Sequence, residues 1–172
     1  MSLYYVKGTP GSGKSTIRKE LAQRGFEAHD ADDDDMGGPY NNATNQRVTY
    51  PDWPPKPEWF AEHSYRLIPE AVQALHDKAK DKLIFLCGTA SNEDDVWHLF
   101  DSVLFLDIDE ATLKERIASR TDNDYGQTPH ELELIMEKYR ADKLKRDLPG
   151  VIIIDASLPV SGVVQAILDK SV

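Results

Sequence analysis

A three-layer α/β domain built on a parallel sheet is the fold class that this sequence predicts, on two observations. Four short runs, "LYYV" from Leu3, "LIFLC" from Leu83, "VLFLDI" from Val103 and "VIIID" from Val151, are apolar without alternation, as suits strands buried on both faces. Helical spacing fills the stretches between them, and alternating strands and helices stack as a sheet covered on both sides. The chain has 172 residues, 40% of them hydrophobic, about one domain with a single core.

In chain order, the strand at 3–6 gives way to glycines and then to a helix, with Ile17 and Leu21 four apart and Gly25 as its stop. A shorter strand, "FEAH" from Phe26, precedes the acid run Asp30 to Asp35. Residues 33–57, rich in Gly, Pro and Asn, read as one long loop, and a loop of that length in a compact domain is functional or disordered. Its aromatics Tyr50, Trp53, Trp59 and Phe60 point to an ordered lid over a substrate or, equally, to rings that pack the loop onto the body. Helices are expected at 58–80, 92–99, 110–119, 129–147 and 160–170. Asp109 signals the start of the third of these, and Thr128-Pro129-His130-Glu131 that of the fourth, with a cap, a proline at the first helical position and Glu at the third. The sequence has no internal repeat.

Asp and Glu number 30 against 20 Lys and Arg, so the net charge of −10 opposes non-specific binding to nucleic acid, though a local basic groove stays open. Cys87 is alone and cannot form an internal disulfide. No run approaches the ~20 apolar residues of a membrane span, and "MSLYYVKGTP" contains no signal-like stretch. The expectation is a soluble cytosolic protein, of undetermined oligomeric state, with no membrane partner.

The most informative segment is "GTPGSGKST", residues 8–16, which fits the phosphate-binding pattern with Gly8, Gly13, Lys14 and Ser15 at the fixed places. Backbone N–H groups along Gly8, Thr9, Pro10, Gly11, Ser12, Gly13 and Thr16, apart from the proline, can cradle phosphates. Lys14 can reach the phosphate oxygens, and the Ser15 hydroxyl can ligate Mg²⁺. The loop identifies a nucleoside triphosphate and leaves the reaction open among GTPases, ATPase motors and small kinases. An N-K-x-D guanine motif is absent, as are L-S-G-G-Q and a third strand ending in Asp-Glu, which leaves the small kinases.

With the loop, "FEAHDADDDD", "CGTASN", "DEATLKERIASRTDN" and "IDASLPVSGVVQAI" in that order, the chain resembles the nucleotide and shikimate kinase group of P-loop small-molecule kinases over most of its length. The resemblance implies a P-loop kinase fold over residues 1–172, a five-stranded parallel sheet of order 2-3-1-4-5, a substrate-covering loop at 33–57 and a small lid at 116–130. It implies ATP and Mg²⁺, the metal held by Ser15 and Asp30, with Asp32 on the acceptor hydroxyl. Arg116 and Arg120, one helical turn apart, would stack on adenine and clamp phosphates, and the backbone of Ser157, Leu158 and Pro159 would touch the base. Lys14, Asp30, Asp32 and Arg120 form the implied catalytic set, and either aspartate could be the general base. Two departures stand out. Cys87 and Gly88 end the third strand where many nucleotide kinases have Asp, and "CGTASN" lacks the triple glycine of shikimate kinases, which argues against shikimate itself.

Several of these residues have an ordinary alternative. Asp33 to Asp35 read as a solvated turn, Arg140 as a charge on a solvated face, and Arg116 and Arg120 also suit exposed partners of Glu115. His29 either tunes the Asp pair or is a local hydrogen-bond partner. The histidines and Cys87 lack zinc spacing, so Mg²⁺ carried by the nucleotide is the metal expected. The function expected is transfer of the γ-phosphoryl group of ATP to a hydroxyl or phosphate of a small acceptor. The lid and "IDAS" favour a nucleoside or nucleotide, and the D-x-D favours a shikimate-like or gluconate-like metabolite. One alternative is a 5′-hydroxyl polynucleotide kinase, against which the acidic 33–57 stretch weighs; another is an ATP-binding or hydrolysing regulator without an acceptor, against which Asp32 and the aromatics weigh.

Overall fold

The computed structural model describes residues 1–33, 35–52, 55–121 and 124–171. Asp34 of the acid run, Trp53 of the aromatic set, and Asp122 and Asn123 of the expected lid lie outside the described residues. At the centre is β1 (Leu3–Lys7), every residue of which is buried. Parallel to it on one side runs β5 (Ile84–Gly88), and beyond that β2 (Glu27–Asp30); on the other side lie β6 (Ser102–Asp107) and then β7 (Val151–Asp155). The five core strands thus stand in the expected order, 2-3-1-4-5 by their sequence among themselves.

Because β1, β5 and β6 alternate apolar residues to both faces, the sheet carries two cores. On one face Tyr4, Val6, Phe85 and Leu104 meet α1 (Lys14–Gln23), α5 (Glu110–Ser119) and α7 (Val160–Lys170). On the other face Leu3, Tyr5, Ile84 and Leu86 meet α3 (Pro69–Lys78), the short α4 (Glu93–Val96) and a 3₁₀ turn at Trp97–Leu99. Helix ends follow the expected chemistry. Gly25 sits at φ +88 after α1, Asp109 accepts from the Thr112 N–H, and Thr128 with Glu131 forms a reciprocal capping box at the start of α6 (Pro129–Lys145). Among the described residues no helix is long and apolar enough to cross a membrane.

The stretch between β2 and β5 departs from expectation. The 33–57 segment is not one loop but contains β3 (Gly37–Asn41), and the helix expected over 58–80 is cut by β4 (His63–Leu67), which pairs antiparallel with β3. Only α2 (Pro57–Glu62) precedes it. Two physical causes are visible. Pro69 disfavours helical backbone at Ile68 and opens α3 afresh. Gly37 lets the strands meet, since a Cβ there would lie 2.7 Å from the Tyr65 ring. Likewise the helix expected over 92–99 tightens to 3₁₀ after Val96.

Beneath the carboxyl end of β1 lies a buried charge cluster. Lys7 Nζ donates to both Glu93 oxygens at 2.7 and 2.9 Å and to Asp142 Oδ1 at 2.8 Å. Lys145 Nζ adds a second cation, donating to Glu93 Oε1 at 3.0 Å and to Asp94 Oδ1 at 2.8 Å. Helix α6 therefore crosses the strand ends, with Ile135 and Met136 in the first core and Asp142 on β1. Lys7 and Glu93 are almost fully buried, so removing one partner strands a charge in a dry site. Lys7→Met is expected to cost about 3–5 kcal/mol in urea unfolding, whereas Lys7→Met combined with Glu93→Gln and Asp142→Asn should recover part of that loss.

Candidate active site

The loop after β1 has the shape its glycines permit. Gly11 and Gly13 lie at φ +91 and +98, in the left-handed region open to glycine, and the Ser12 N–H donates to the Thr9 carbonyl at 3.0 Å. Gly11 has a second reason to lack a side chain, because a Cβ there would stand 2.9 Å from Ile117 and 3.0 Å from Leu113 of α5. Gly13 leads into α1 without a side-chain cap, so the first-turn N–H groups beside Ser15 and Thr16 are available to an anion. At Gly8 a Cβ would lie 2.5 Å from Ser12 Oγ and 3.0 Å from Leu106.

Lys14 is folded back onto this loop. Its Nζ donates to the Gly8 carbonyl and, at 3.1 Å, to that of Thr9. Burial lowers the Lys14 ammonium to about 8, against the opposing pull of Asp32 and Asp142. From beneath, Thr9 Oγ1 donates to Asp142 Oδ2 at 3.2 Å and Thr89 Oγ1 to the Gly8 carbonyl at 2.9 Å. Ser12 Oγ is buried and finds no partner among the described residues.

Around the loop opens a cleft of about 1080 Å³. Its lining gathers most of the residues expected at a site: Pro10 to Thr16 of the loop, Asp32, Arg116 and Arg120, and Leu158 with Pro159. Ser157 is outside the lining, but its carbonyl accepts from Arg116 Nη2 at 3.5 Å, and its own N–H is tied to Asp155 at 2.9 Å. Gly8 and Thr9 form the floor rather than the wall.

The two aspartates are not equivalent. Asp32 faces the cleft, where removal from water and the neighbouring Asp30 push its carboxyl up, opposed by Lys14 and Lys138. Asp30 is half-buried outside that lining, with Arg18 Nε 3.4 Å away and the Asp32 N–H donating to its Oδ1 at 3.1 Å. Their spacing depends on Gly88, where a Cβ would fall 2.0 Å from that of Ala31. His29 does not touch the pair; its Nε2 lies 2.8 Å from Glu27.

Arg120 ends α5 with Nε and Nη2 buried and no acceptor among the described residues. A buried guanidinium in that condition is suited to an anion. Arg140 pairs with Glu133 at 3.1 Å and is exposed, on the solvated face. Among the described residues no group of three or more His, Cys, Asp or Glu could hold a metal ion by itself.

Residues without a sequence signal also line the cleft. Lys138 reaches it from α6, while His63, Ser64 and Tyr65 reach it from β4, and Tyr125 from the segment between α5 and α6. The Tyr65 hydroxyl donates to the Ala31 carbonyl at 2.8 Å, fixing the β3–β4 hairpin beside the aspartates. Lys138 stands two turns into an ordinary charged helix, and nothing in its local sequence distinguishes it from Lys145.

The fold recurs in solved structures. Gluconokinase from Sinorhizobium meliloti 1021 superposes with a TM-score of 0.56 at 18% identity, over 98% of this chain and 90% of that one. Shikimate kinase from Acinetobacter baumannii, in complex with shikimate, gives 0.60 at 16% over 99% and 92%, and deoxyadenosine kinase from M. mycoides, with bound dATP, gives 0.53 at 17% over 99% and 98%. No curated protein matches the chain. The architecture is that of the P-loop small-molecule kinases, as the sequence resemblance implies, and the AAA domain family model matches residues 5–145, so the chain belongs to the AAA domain family.

Proposed function

We propose that the protein moves the γ-phosphoryl group of ATP to a hydroxyl or phosphate of a small molecule. The observation that carries this reading is the presence of Asp32 in the same cleft as the phosphate loop, Lys14 and Arg120, two of whose buried nitrogens have no acceptor among the described residues. A hydrolase needs only the loop and a water; a carboxylate on the far side of the loop suits an acceptor. The cleft, at about 1080 Å³, exceeds the ~300–1,000 Å³ of an ordinary small-molecule site and has room for two molecules. The related solved structures named gluconokinase, shikimate kinase and deoxyadenosine kinase are in keeping with this class.

In this scheme the loop N–H groups and Lys14 hold the phosphates, and Arg120 takes the charge that spreads over the transferring group. Arg116, with the backbone of Ser157 to Pro159, flanks the base. Ser15 and Asp30 are the residues that would hold Mg²⁺, which would supply charge neutralisation on the phosphates. Asp32 orients the acceptor and takes its proton while the acceptor oxygen bonds to the γ-phosphorus and the bond to the β-bridging oxygen breaks, releasing ADP. The stretch 116–130 serves as the lid, in which Tyr125 faces the nucleotide-bearing cleft.

Two outcomes test the scheme. Asp32→Asn is expected to lower acceptor-dependent kcat about 10²- to 10⁴-fold while leaving ATP affinity within a few-fold, by coupled ADP assay and by titration calorimetry. ATP turnover that is insensitive both to that change and to every acceptor offered would assign the phosphate to water instead. Lys14 is charged below about 8 and neutral above it in the free protein. A bound triphosphate favours the ammonium, so affinity should fall as pH rises through that value, with proton uptake on binding at pH ~9. Calorimetry in two buffers of different ionisation heat reads the proton directly, and Lys14→Met should abolish the uptake.

A further inference from the structure

The cleft has two chemically different ends, and the sheet order fixes which is which. Arg116 and Arg120 follow β6, on one side of the central loop, whereas Asp32 and the β3–β4 hairpin follow β2 and precede β5, on the other. The hairpin end is walled by a run of rings. Trp59 stacks on His63 with centroids 4.3 Å apart and planes 8° from parallel, Phe60 meets Trp59 edge-on at 5.4 Å, and Tyr50 covers Trp59 at 5.0 Å. All four line the cleft, and Tyr50 is 42% exposed.

No Arg or Lys stands among the described residues of that wall. The two arginines of the hairpin region are engaged elsewhere: Arg47 Nη2 donates to the Gly37 carbonyl at 2.7 Å, and Arg66 binds Asn45, Asn42 and Ser64 while lying over the Tyr40 ring. His63 is held at both ring nitrogens, with Nδ1 2.7 Å from the Trp59 carbonyl oxygen and Nε2 3.4 Å from Asn41 Nδ2. Asp32 lines the cleft beside this wall, where Asp30 and Asp33 push its carboxyl up and Lys14 and Lys138, on the phosphate-loop side, oppose them. The Tyr50 phenol is raised by burial and by Asp32, in keeping with a ring set close to that carboxylate.

We infer that the acceptor is an uncharged molecule joining a flat ring to the hydroxyl that receives the phosphoryl group, a nucleoside-type compound rather than a phosphorylated or carboxylated one. The inference rests on the kinase reading above. A phosphate or carboxylate at this end would face Asp32 with no counter-ion on the wall, whereas a heterocycle finds rings to stack on and none of its surface charge is stranded. Lys14, Arg120 and Lys138 are then left to the triphosphate. In the transfer itself the acceptor hydroxyl oxygen bonds to the γ-phosphorus, its proton passes to Asp32, and ADP departs with the electrons of the broken bond.

The test measures ADP formation with ATP and Mg²⁺ against nucleosides, their 5′-monophosphates, and sugar or polyol acids, in the wild type, Tyr50→Leu and Tyr50→Phe. Acceleration by nucleosides alone is expected, with an acceptor KM about tenfold higher in Tyr50→Leu and restored in Tyr50→Phe, which keeps the ring. Acceleration confined to monophosphates or acids overturns the inference and leaves the kinase reading standing. If no pool accelerates a protein that binds ATP, both fall. An unchanged acceptor KM in Tyr50→Leu also overturns the inference, since the ring would then take no part in recognition.

Discussion

A single buried ammonium organises the centre of this molecule. Lys7 is the last residue of the central strand and the one before the first loop glycine, and it has almost no access to water. A charge in that place is sustained only by partners that arrive with it, and these come from far along the chain: Glu93 of α4 and Asp142 of α6. The cluster therefore joins the strand, two helices and, through Thr9, the phosphate loop. Lys143 and Arg146 on Asp107 repeat the arrangement at the end of the neighbouring strand. Together they clamp α6 across the carboxyl ends of the sheet, and one turn before Asp142 that helix puts Lys138 in the cleft.

From the other face the loop is held by packing rather than by charge. Leu113 and Ile117 of α5 press against Gly11, which tolerates them because it lacks a Cβ. The same helix, one and two turns around, carries Arg116 and Arg120 to the cleft. A contact that shapes the phosphate loop and a contact that places its cations are thus one contact. This explains why Gly11, Leu113 and Ile117, and Arg116 and Arg120 must be considered together, although the glycine lies about a hundred residues from the rest.

The sheet and most of its helices were legible because their signals are local. Unbroken apolar runs marked four of the five parallel strands, a shorter run marked β2, a capping box marked α6, and the ranges of α5 and α7 agree with the spacing of their apolar residues. The hairpin was not legible, since "GGPYN" has almost no strand propensity and pairs with β4 only because Gly37 admits the Tyr65 ring. Pro69 was a usable signal for the break in the expected long helix. At the site, the loop motif could be read directly, and the resemblance already gave Asp30 and Asp32 different roles, but Arg18, one helical turn beyond Lys14, lies against Asp30 and leaves Asp32 to the cleft, a contact with no sequence signal. Lys7, Glu93 and Asp142 look like solvated charges in sequence, and only their meeting under the loop reveals otherwise.

What the cleft lacks within itself also has a direction. Among the described residues Arg120 keeps two buried nitrogens without an acceptor and Ser12 a buried hydroxyl, both on residues that line the cleft. An unpaired buried polar group costs about 1–3 kcal/mol, more when charged, so a partner that meets these atoms is favoured. Nearby, Gly126 is closely packed, since a Cβ there would meet Ile135 at 2.6 Å and Ile117 at 2.8 Å, and Arg120 opposes the burial that raises the Tyr125 phenol. At the hairpin end the polar groups of His63 and Tyr65 are, by contrast, bonded to backbone carbonyls. Among the described residues the unmet bonding capacity of the cleft lining belongs to Ser12 and Arg120, the ring-lined end is bonded, and the remaining such atom, Arg18 Nε, lies against Asp30.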